Sequence, residues 1–559
     1  MIVTSIIPAL ADPSNAYNDQ HIYVLSSLAD VKSIVLLTDV HAPDTLILPL
    51  FSSCFDIVSG SSKASTGEDL AKNVEYDMTR LLAPIIDEAP SLAPEVIDVI
   101  VAQFLRVDPR AIDHSLSTST GKGKKGATGV VDAKQGTLLL KDYPPAYNMA
   151  KAICNACPEK LTSYISQYFN NVILDASGPS GINGLKNRRN SLDESEDEGE
   201  NIKDLNKAHR LIRELWRACP DVLQHVIPQL EAELSADSIS LRLLATQTIG
   251  DLAAGIGVAG PPPDPLLDPA AYPRPSLSDD TDSVSQVNAL LNPLSPKPFS
   301  QSHSSAYESF LSRRQDKSPS VRASWATAIG RILHTSAGGT GLNTAESNNL
   351  IAGLARALGD ADEKVRIAAV EALAKFGYKD VIKKLGSDGG LSEPDSLLSV
   401  LAARVKDRKH AVREQAMNVL GKMWAVASGD IEANNEEVMT ILKDAPSKIF
   451  DAYYTNDLDL QVLLDHVIYE VLLPLTYPPI KSKQAKGQSQ KSKTAKGNQE
   501  DDVDPDSIRA RRILTLVNGL DEKSKNVFFA FQSRQLKMRA FMDFYLTACE
   551  EYNVSLLRL

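Results

Sequence analysis

Four segments of the chain repeat one pattern around an arginine, and this repeat restricts the possible folds more than any other feature of the sequence. Each arginine is followed by small and apolar residues and then by Gly or Ala. The four arginines are Arg242, Arg322, Arg366 and Arg413. An aspartate lies six positions before each of the last three, at Asp316, Asp360 and Asp407. The last three arginines are 44 and 47 residues apart, whereas the first interval of 80 residues contains a proline-rich insertion.

This period and this Asp, Val-Arg, small, apolar pattern are typical of HEAT repeats, which are stacked helical hairpins. The aspartate is expected to open the second helix of each hairpin by accepting hydrogen bonds from free backbone N–H groups, and the small residues allow close helix approach. Apolar residues at three- and four-residue spacing occur through most of the sequence, and sustained two-residue alternation is absent. We therefore predict an all-α fold, an α-solenoid of HEAT repeats.

Composition excludes several protein classes. The 559 residues are 43% hydrophobic, and none of the apolar runs approaches the roughly 18 residues that a membrane span needs. Five cysteines are too few for a disulfide framework and indicate a reducing compartment, the cytosol or the nucleus. The formal charge of -12 argues against broad, sequence-independent binding of nucleic-acid phosphates, although local basic patches are compatible with it.

Shifts in composition divide the chain into helical regions and low-complexity segments. The low-complexity segments are rich in Ser, Gly, Pro, Lys or acidic residues, which disfavours a packed core. The predicted organisation is 1–114 N-terminal helical repeats, 115–135 linker, 136–175 helical repeat, 176–203 acidic disordered loop, 204–254 HEAT repeat, 255–300 Pro-rich disordered insertion, 301–480 HEAT repeats, 481–504 Lys-rich then acidic linker, and 505–559 C-terminal helices.

Two short motifs invite a chemical interpretation that their context does not support. Gly255, Gly257 and Gly260 spell a dinucleotide fingerprint, but a helical repeat precedes them and three prolines follow, so the required strand and helix are missing. Cys154 and Cys157 form a C-x-x-C pair in a segment with helical spacing, and no second ligand pair accompanies them. We interpret them as buried thiols. The sequence predicts no catalytic, cofactor-binding or metal-binding residues.

Basic residues offer the clearest candidates for contact with a partner. The repeat arginines Arg322, Arg366 and Arg413 are expected to pair with aspartates of adjacent repeats, as a structural ladder. A positive cluster, Lys406, Arg408, Lys409, His410 and Arg413, surrounds one helix start without a matching acidic run. Two interpretations stay open: a solvated turn, or a site for an acidic peptide or polyanion. The lysines of 481–496 similarly suit either a solvated linker or a nuclear-import or nucleic-acid patch.

Ser191 and Ser195 lie in a basic-then-acidic stretch that is typical of regulatory phosphorylation tracts. We hypothesise that both serines are phosphorylated.

Several long stretches resemble one protein family in the same order along the chain. They include YNMAKAICNACPEKLTSYISQYFNNVI (147–173), ELWRACPDVLQHVIPQLEAEL (214–234), RQDKSPSVRASWATAIGRIL (314–333), RVKDRKHAVREQAMNVLGKMW (404–424) and IFDAYYTNDLDLQVLLDHVIYEVLLPL (449–475). These stretches resemble the "precocious dissociation of sisters" family of sister-chromatid cohesion proteins, in a form like those of filamentous fungi.

The resemblance implies a non-enzymatic cohesin regulator, a hook-shaped HEAT protein in the nucleus that is associated with chromosomes. Such a protein binds the kleisin subunit of cohesin, acts with the releasing factor Wapl and a cohesin acetyltransferase, and reaches chromatin through cohesin. A generic HEAT adaptor, such as a nuclear transport receptor or a phosphatase scaffold, is the alternative. The resemblance places kleisin binding on the later repeats. The partner-binding residues that we select there are Lys406, Arg408, Lys409, Arg413, Tyr453, Tyr454, Asp465 and Glu470. For the two tyrosines, packing between repeats is the alternative.

Members of this family are much longer and carry an Ala-Pro-rich motif for releasing factors upstream of the region that this chain resembles. We therefore expect the chain to correspond to an internal fragment, a shortened gene model or an unusual paralogue. Whether a Wapl-type factor binds this chain without that motif stays open.

Overall fold

A computed structural model describes residues 82–87, 94–105, 145–177, 194–254, 267–277, 299–335, 342–478 and 504–556, together with the single residues 52, 55, 79 and 92. Within these ranges the chain forms helices and turns and contains no strand. No helix in this described part is both long enough and apolar enough to cross a membrane. The prediction of an all-α solenoid of HEAT repeats is confirmed.

The α-helices of four or more residues are named here in chain order, and the three-residue helix Tyr378–Asp380 is left unnumbered. They are α1 (Pro94–Leu105), α2 (Pro145–Ala156), α3 (Pro158–Ser177), α4 (Glu194–Ala218), α5 (Ile227–Glu233), α6 (Ile239–Ala253), α7 (Phe299–Ser302), α8 (Ser304–Ser312), α9 (Pro319–Thr335), α10 (Thr344–Leu358), α11 (Glu363–Leu373), α12 (Leu397–Arg404), α13 (His410–Glu432), α14 (Glu436–Leu442), α15 (Ala445–Phe450), α16 (Leu458–His466), α17 (Pro505–Gly519) and α18 (Glu522–Leu556). Short 3-10 and π turns connect several of them, including Asp451–Thr455 and Val467–Leu472.

Local sequence accounts for where these helices begin. Several start at a proline, whose fixed φ angle suits the first helical position and whose missing N–H would have no partner there. Others follow a side-chain cap: Ser238 accepts from the N–H of Leu241, Ser396 from that of Ser399, and Asp457 from that of Asp459. Such caps satisfy backbone donors that the first helical turn leaves open.

Two compact units make up the chain. Unit 1 comprises Met1–Asp264 and Ser283–Asn343, and unit 2 comprises Pro265–Asp282 and Thr344–Leu559. In unit 1, α6 packs closely on α9, because Gly250 lies directly against Ala328. In unit 2, α10 pairs with α11 and α12 with α13, and the 23-residue α13 is buried along most of its length around Trp424.

The structure corrects two predicted disordered segments. Residues 194–203 of the predicted acidic loop are helical, as the first part of α4, and residues 176–177 end α3. Within the predicted disordered insertion, 267–277 is an ordered part of unit 2, and α7 begins at Phe299. The apolar side chains of Leu267 and Phe299 are buried, and composition averaged over the insertion does not show this. The predicted linker 115–135 lies outside the described residues, as do positions 481–503 of the predicted linker 481–504 and Gly255, Gly257, Gly260 and Ser191.

Candidate partner-binding surface

An ion-pair ladder connects consecutive repeats. In unit 2, the Arg366 guanidinium contacts both carboxylate oxygens of Asp407, with Nε 2.9 Å from Oδ2 and Nη2 2.8 Å from Oδ1. Both side chains are almost completely buried. In unit 1, Arg242 makes the equivalent two-pronged contact with Asp316, with Nε 3.0 Å from Oδ2 and Nη2 3.4 Å from Oδ1. Planar guanidinium and carboxylate groups favour this paired geometry.

The same arginines also close the turn before their own helix. Arg366 Nη1 donates to the backbone oxygens of Asp360 and Ala361, and Arg413 Nη1 donates to those of Asp407 and Arg408. Each arginine therefore binds its own turn and the aspartate of the next repeat at the same time. This explains why the aspartate and the arginine of one repeat are six residues apart.

Asp360 and Asp407 stabilise the turns but do not cap the helices directly as predicted, since Asp362 and Lys409 occupy the N-cap positions of α11 and α13. Asp457 does cap its helix, α16. Asp407 Oδ1 accepts from the N–H of Lys409, the residue at the N-cap position of α13, whose own side chain makes no capping hydrogen bond. Burial alone would raise the pKa of Asp407, but hydrogen bonds from Arg366 and from the Lys409 N–H, together with the charges of Arg366 and Arg404, outweigh burial and lower it. The carboxylate form is thereby favoured in the folded protein.

The ladder continues from Arg413 to the next repeat. Its Nη2 lies 3.5 Å from Oδ2 of Asp457, and the arginine is buried while the aspartate is partly exposed. The predicted ladder is therefore confirmed for Arg366 and Arg413. Arg322 donates to the backbone oxygens of Asp316 and Lys317 in its own repeat.

The positive cluster lies at the turn between α12 and α13, and neighbouring repeats bring acids to it. Lys406 Nζ lies 3.7 Å from Asp451, and Lys409 Nζ lies 3.2 Å from Glu363. The sequence analysis found no matching acidic run because these acids come from other repeats. Arg408 is exposed, and we find no ion pair for it within the described residues.

The two selected tyrosines occupy the 3-10 turn that follows α15. Tyr453 packs edge-on against Phe531 of α18, with ring centroids 5.8 Å apart, so it serves in packing between helices. Tyr454 is half exposed, and its hydroxyl donates to the backbone oxygen of Lys523 at 3.0 Å. Its ring is thus held in one orientation at the surface.

Helix α18 also engages one of the two selected acidic residues, Asp465. Asp465 forms an ion pair with Arg534, and Glu470 is exposed and lies 3.1 Å from His466. The Lys406–Asp451 contact joins the positive cluster to the tyrosine turn as one edge of unit 2, whereas Asp465 is paired with α18.

Two exposed apolar residues in α16, the helix that follows the tyrosine turn, were missed by the sequence analysis. Leu458 and Val462 of α16 are 76% and 57% exposed. They are four residues apart and so lie on one helix face, whereas Leu460, Leu463 and Leu464 face the core. Apolar residues on two faces of this short helix are the sequence signal that could have identified the exposed apolar surface.

The C-x-x-C thiols are buried, as predicted. Cys154 and Cys157 are both in the core, and Cys157 Sγ donates to the backbone oxygen of Ala83 at 3.2 Å. Burial raises the pKa of Cys157. In the described part of the chain, no group of three or more His, Cys, Asp or Glu side chains is arranged to hold a metal ion.

Comparison with known proteins decides the family. The family model "Sister chromatid cohesion protein PDS5 protein" matches residues 1–556. The chain belongs to the PDS5 family. The PDS5 protein of Saccharomyces cerevisiae is 22% identical over 548 residues, which cover 98% of this chain and 33% of that protein. The pds5 protein of Schizosaccharomyces pombe is 23% identical over 553 residues, which cover 99% of this chain and 36% of that protein.

A solved structure shares the fold. A chain in the structure of the Pds5-Scc1 complex matches with a TM-score of 0.59 and 22% identity, covering 96% of this chain and 61% of that chain. The resemblance to the cohesion family read from the sequence is confirmed. This PDS5 family chain spans about a third of the length of the two yeast relatives.

Proposed function

We propose that this chain is a non-enzymatic, cohesin-associated scaffold that binds the kleisin subunit and thereby regulates the maintenance and release of cohesin on chromatin. The observation that supports this most is the PDS5 family match over residues 1–556, together with the shared fold of a protein solved in complex with Scc1. The match over nearly the whole chain disfavours a generic HEAT adaptor. Location in the nucleus on chromosomes, and action with a releasing factor and a cohesin acetyltransferase, belong to the same proposal.

The proposed contact surface is the edge of unit 2 that contains the positive cluster and the tyrosine turn. The ion pairs of Lys406 and Lys409 are solvent-exposed, and such pairs contribute at most about 1 kcal/mol. Acidic side chains of a partner can therefore replace Asp451 and Glu363 at little cost, and Arg408 is available without any exchange. Together, Lys406, Arg408 and Lys409 attract an acidic segment of a partner and favour one orientation of that segment.

An apolar anchor lies beside these charges. Tyr454, Leu458 and Val462 expose apolar surface on one turn and the following helix. The hydrogen bond from Tyr454 to Lys523 fixes the tyrosine ring before binding, so little side-chain entropy is lost when a partner covers it. Aromatic anchors surrounded by polar residues are typical centres of protein interfaces.

The decisive experiment is calorimetric titration of the chain with a peptide from the N-terminal half of the cognate kleisin, in moderate salt that screens nonspecific charge contacts. Saturable one-to-one binding is expected. The triple charge reversal at Lys406, Arg408 and Lys409 to Glu should weaken binding at least tenfold while the circular dichroism spectrum stays helical.

A matched control reverses three lysines elsewhere in unit 2. These are Lys379, Lys383 and Lys384, which change the net charge by the same amount. If both triple variants lose affinity equally, net charge and not this surface determines binding. Absence of binding to the well-folded unmodified chain would refute kleisin recognition by this region.

A further inference from the structure

One segment of the proline-rich insertion is bound along unit 2. Residues 267–277, named the strap here, contain no helix or strand, yet Leu267 is only 2% exposed. The backbone oxygen of Pro269 accepts from Arg512 Nη1 at 2.8 Å. Tyr272 packs edge-on against Tyr477, with ring centroids 6.2 Å apart. The strap is thus an irregular peptide with turns and bends, held by side chains of distant helices and turns.

The C-terminal end of the strap is held by charge. Asp430, near the end of α13, is 7% exposed and accepts three hydrogen bonds. Tyr378 donates to its Oδ2 at 2.6 Å, the Leu277 N–H donates to Oδ2 at 2.8 Å, and Ser276 Oγ donates to Oδ1 at 3.2 Å. Two of the three donors therefore belong to the strap.

A second charged contact reinforces this end. Arg274 Nη1 lies 2.6 Å from Oε2 of Glu432, which is two residues after Asp430 on α13. The arginine also packs on Gly429, where a Cβ would lie 3.3 Å from Arg274 Cβ. The strap thus ends on two carboxylates, Asp430 and Glu432, which it contacts with a hydroxyl, an amide and a guanidinium.

This arrangement makes Ser276 a sensitive position. Its hydroxyl donates to a carboxylate that can only accept, so the contact requires the hydroxyl proton. A phosphate ester there has no such proton, and it carries a charge of about -1.5 to -2. It would repel Asp430 and Glu432 directly. It would also compete with Glu432 for Arg274, two residues away. Both charged contacts of the strap would be weakened together.

We propose that Ser276 is a regulatory phosphorylation site whose modification releases the strap from unit 2. A protein kinase transfers the terminal phosphoryl group of a nucleoside triphosphate to Ser276 Oγ: a new P–O bond forms, the bond to the nucleoside diphosphate breaks, and the hydroxyl proton passes to the kinase's base. The strap is half-buried at Ser276 and has no regular secondary structure, so it can open into an extended substrate. This proposal does not depend on kleisin binding.

The experiment uses the intact chain with phosphoserine placed at position 276 by codon reassignment. Hydrogen exchange of the 268–277 segment, measured by mass spectrometry, reports whether the Leu277 N–H stays bonded to Asp430. Exchange at least about tenfold faster than in the unmodified chain is expected. Phosphoserine at Ser278 adds the same charge beyond the last described strap residue and should cause a much smaller change. Equal acceleration by both, or none at Ser276, would overturn the proposal.

Two further measurements separate charge repulsion from simple loss of a hydrogen bond. Ser276→Ala removes the hydroxyl without adding charge and should accelerate exchange only slightly. In an Asp430→Asn chain, phosphoserine at 276 should add less acceleration than in the unmodified chain.

Peptide mapping of the protein from dividing cells should find phosphate on Ser276. Recovery of the strap peptide solely in unmodified form would overturn the assignment of the site.

Discussion

Replacing Asp407 by Asn is expected to destabilise unit 2 far more than the same substitution at Asp457, although both carboxylates belong to one ladder. Asp407 accepts two close hydrogen bonds from Arg366, and the pair is almost fully buried. Asp457 is 38% exposed and lies 3.5 Å from its arginine. In each variant the amide oxygen can still accept the local backbone N–H, so the substitutions chiefly remove the charge.

The structure sets the magnitudes. Removing one partner of a buried ion pair costs about 3–5 kcal/mol, because the remaining charge is left without compensation. We expect about 3 kcal/mol for Asp407→Asn, at the lower end, since the amide oxygen can still accept one hydrogen bond from Arg366. Solvent screens the exposed Asp457 pair, so Asp457→Asn should cost less than about 1 kcal/mol.

The difference in stability between the unmodified chain and the Asp407→Asn variant should depend on pH in a defined direction. The pKa of Asp407 is lowered in the folded protein, so its contribution is present above the ordinary carboxyl value of 3.8 and is lost as the pH falls through the lower, folded-state pKa. The stability advantage of the unmodified chain over Asp407→Asn should therefore be constant from pH 7 to about 5 and shrink below pH 4.

Native-state hydrogen exchange of unit 2 peptides is the suitable assay, because a chain with two units does not unfold in a single two-state step. Peptides from α11 and from the turn before α13 should lose protection in Asp407→Asn and keep it in Asp457→Asn. Equal losses in the two variants, or a cost below about 1 kcal/mol at Asp407, would refute the assignment of a buried, stabilising ladder.

Three other outcomes test the packing. Gly250→Ala should destabilise unit 1 by about 1–3 kcal/mol, measured by hydrogen exchange of α6 and α9, because its Cβ would overlap that of Ala328. Arg512→Ala should cost about 3 kcal/mol or more in unit 2 by the same assay, since three carbonyl oxygens lose the donors of a buried guanidinium. Cys154 and Cys219 should react with a thiol reagent only after unfolding, because both are fully buried; rapid labelling of the native protein would contradict this.

The repeat pattern predicted the fold and the ladder because both depend on residues that recur at fixed spacing. An arginine followed by small residues recurs in four segments, and an aspartate lies six positions earlier in three of them, so a single sequence already contains several copies of the signal. The buried pairing of Arg366 with Asp407 follows from that signal directly.

Contacts made only once were not predictable in this way. The strap was assigned to disorder because its prolines exclude a helix, yet its stability comes from Asp430 and Arg512, which lie more than 150 positions away. The same reason applies to Lys406, whose partner Asp451 belongs to another repeat, and to Tyr453, which α18 covers. Nothing local in the sequence indicates such pairings.

The ladder also determines which cations a partner can use. Arg366 donates four of its N–H groups to the ladder aspartate and to its own turn, and Arg413 occupies the same repeat position. A partner that recruited Arg413 would have to break its contacts with the turn and with Asp457. The side chain directly after the ladder aspartate does not take part in the ladder. This residue is Arg408 after Asp407 and Ala361 after Asp360, one repeat earlier.

Recognition is therefore expected at positions beside the repeat and not at the repeat positions themselves. Arg408→Ala should weaken kleisin binding with no measurable loss of stability, because the side chain is exposed and outside the ladder. Arg413→Ala should destabilise unit 2, since it leaves the turn carbonyls of Asp407 and Arg408 without their donor. The opposite pair of outcomes, with Arg413 needed for binding alone and Arg408 for stability, would show that the array presents its repeat residues to the partner.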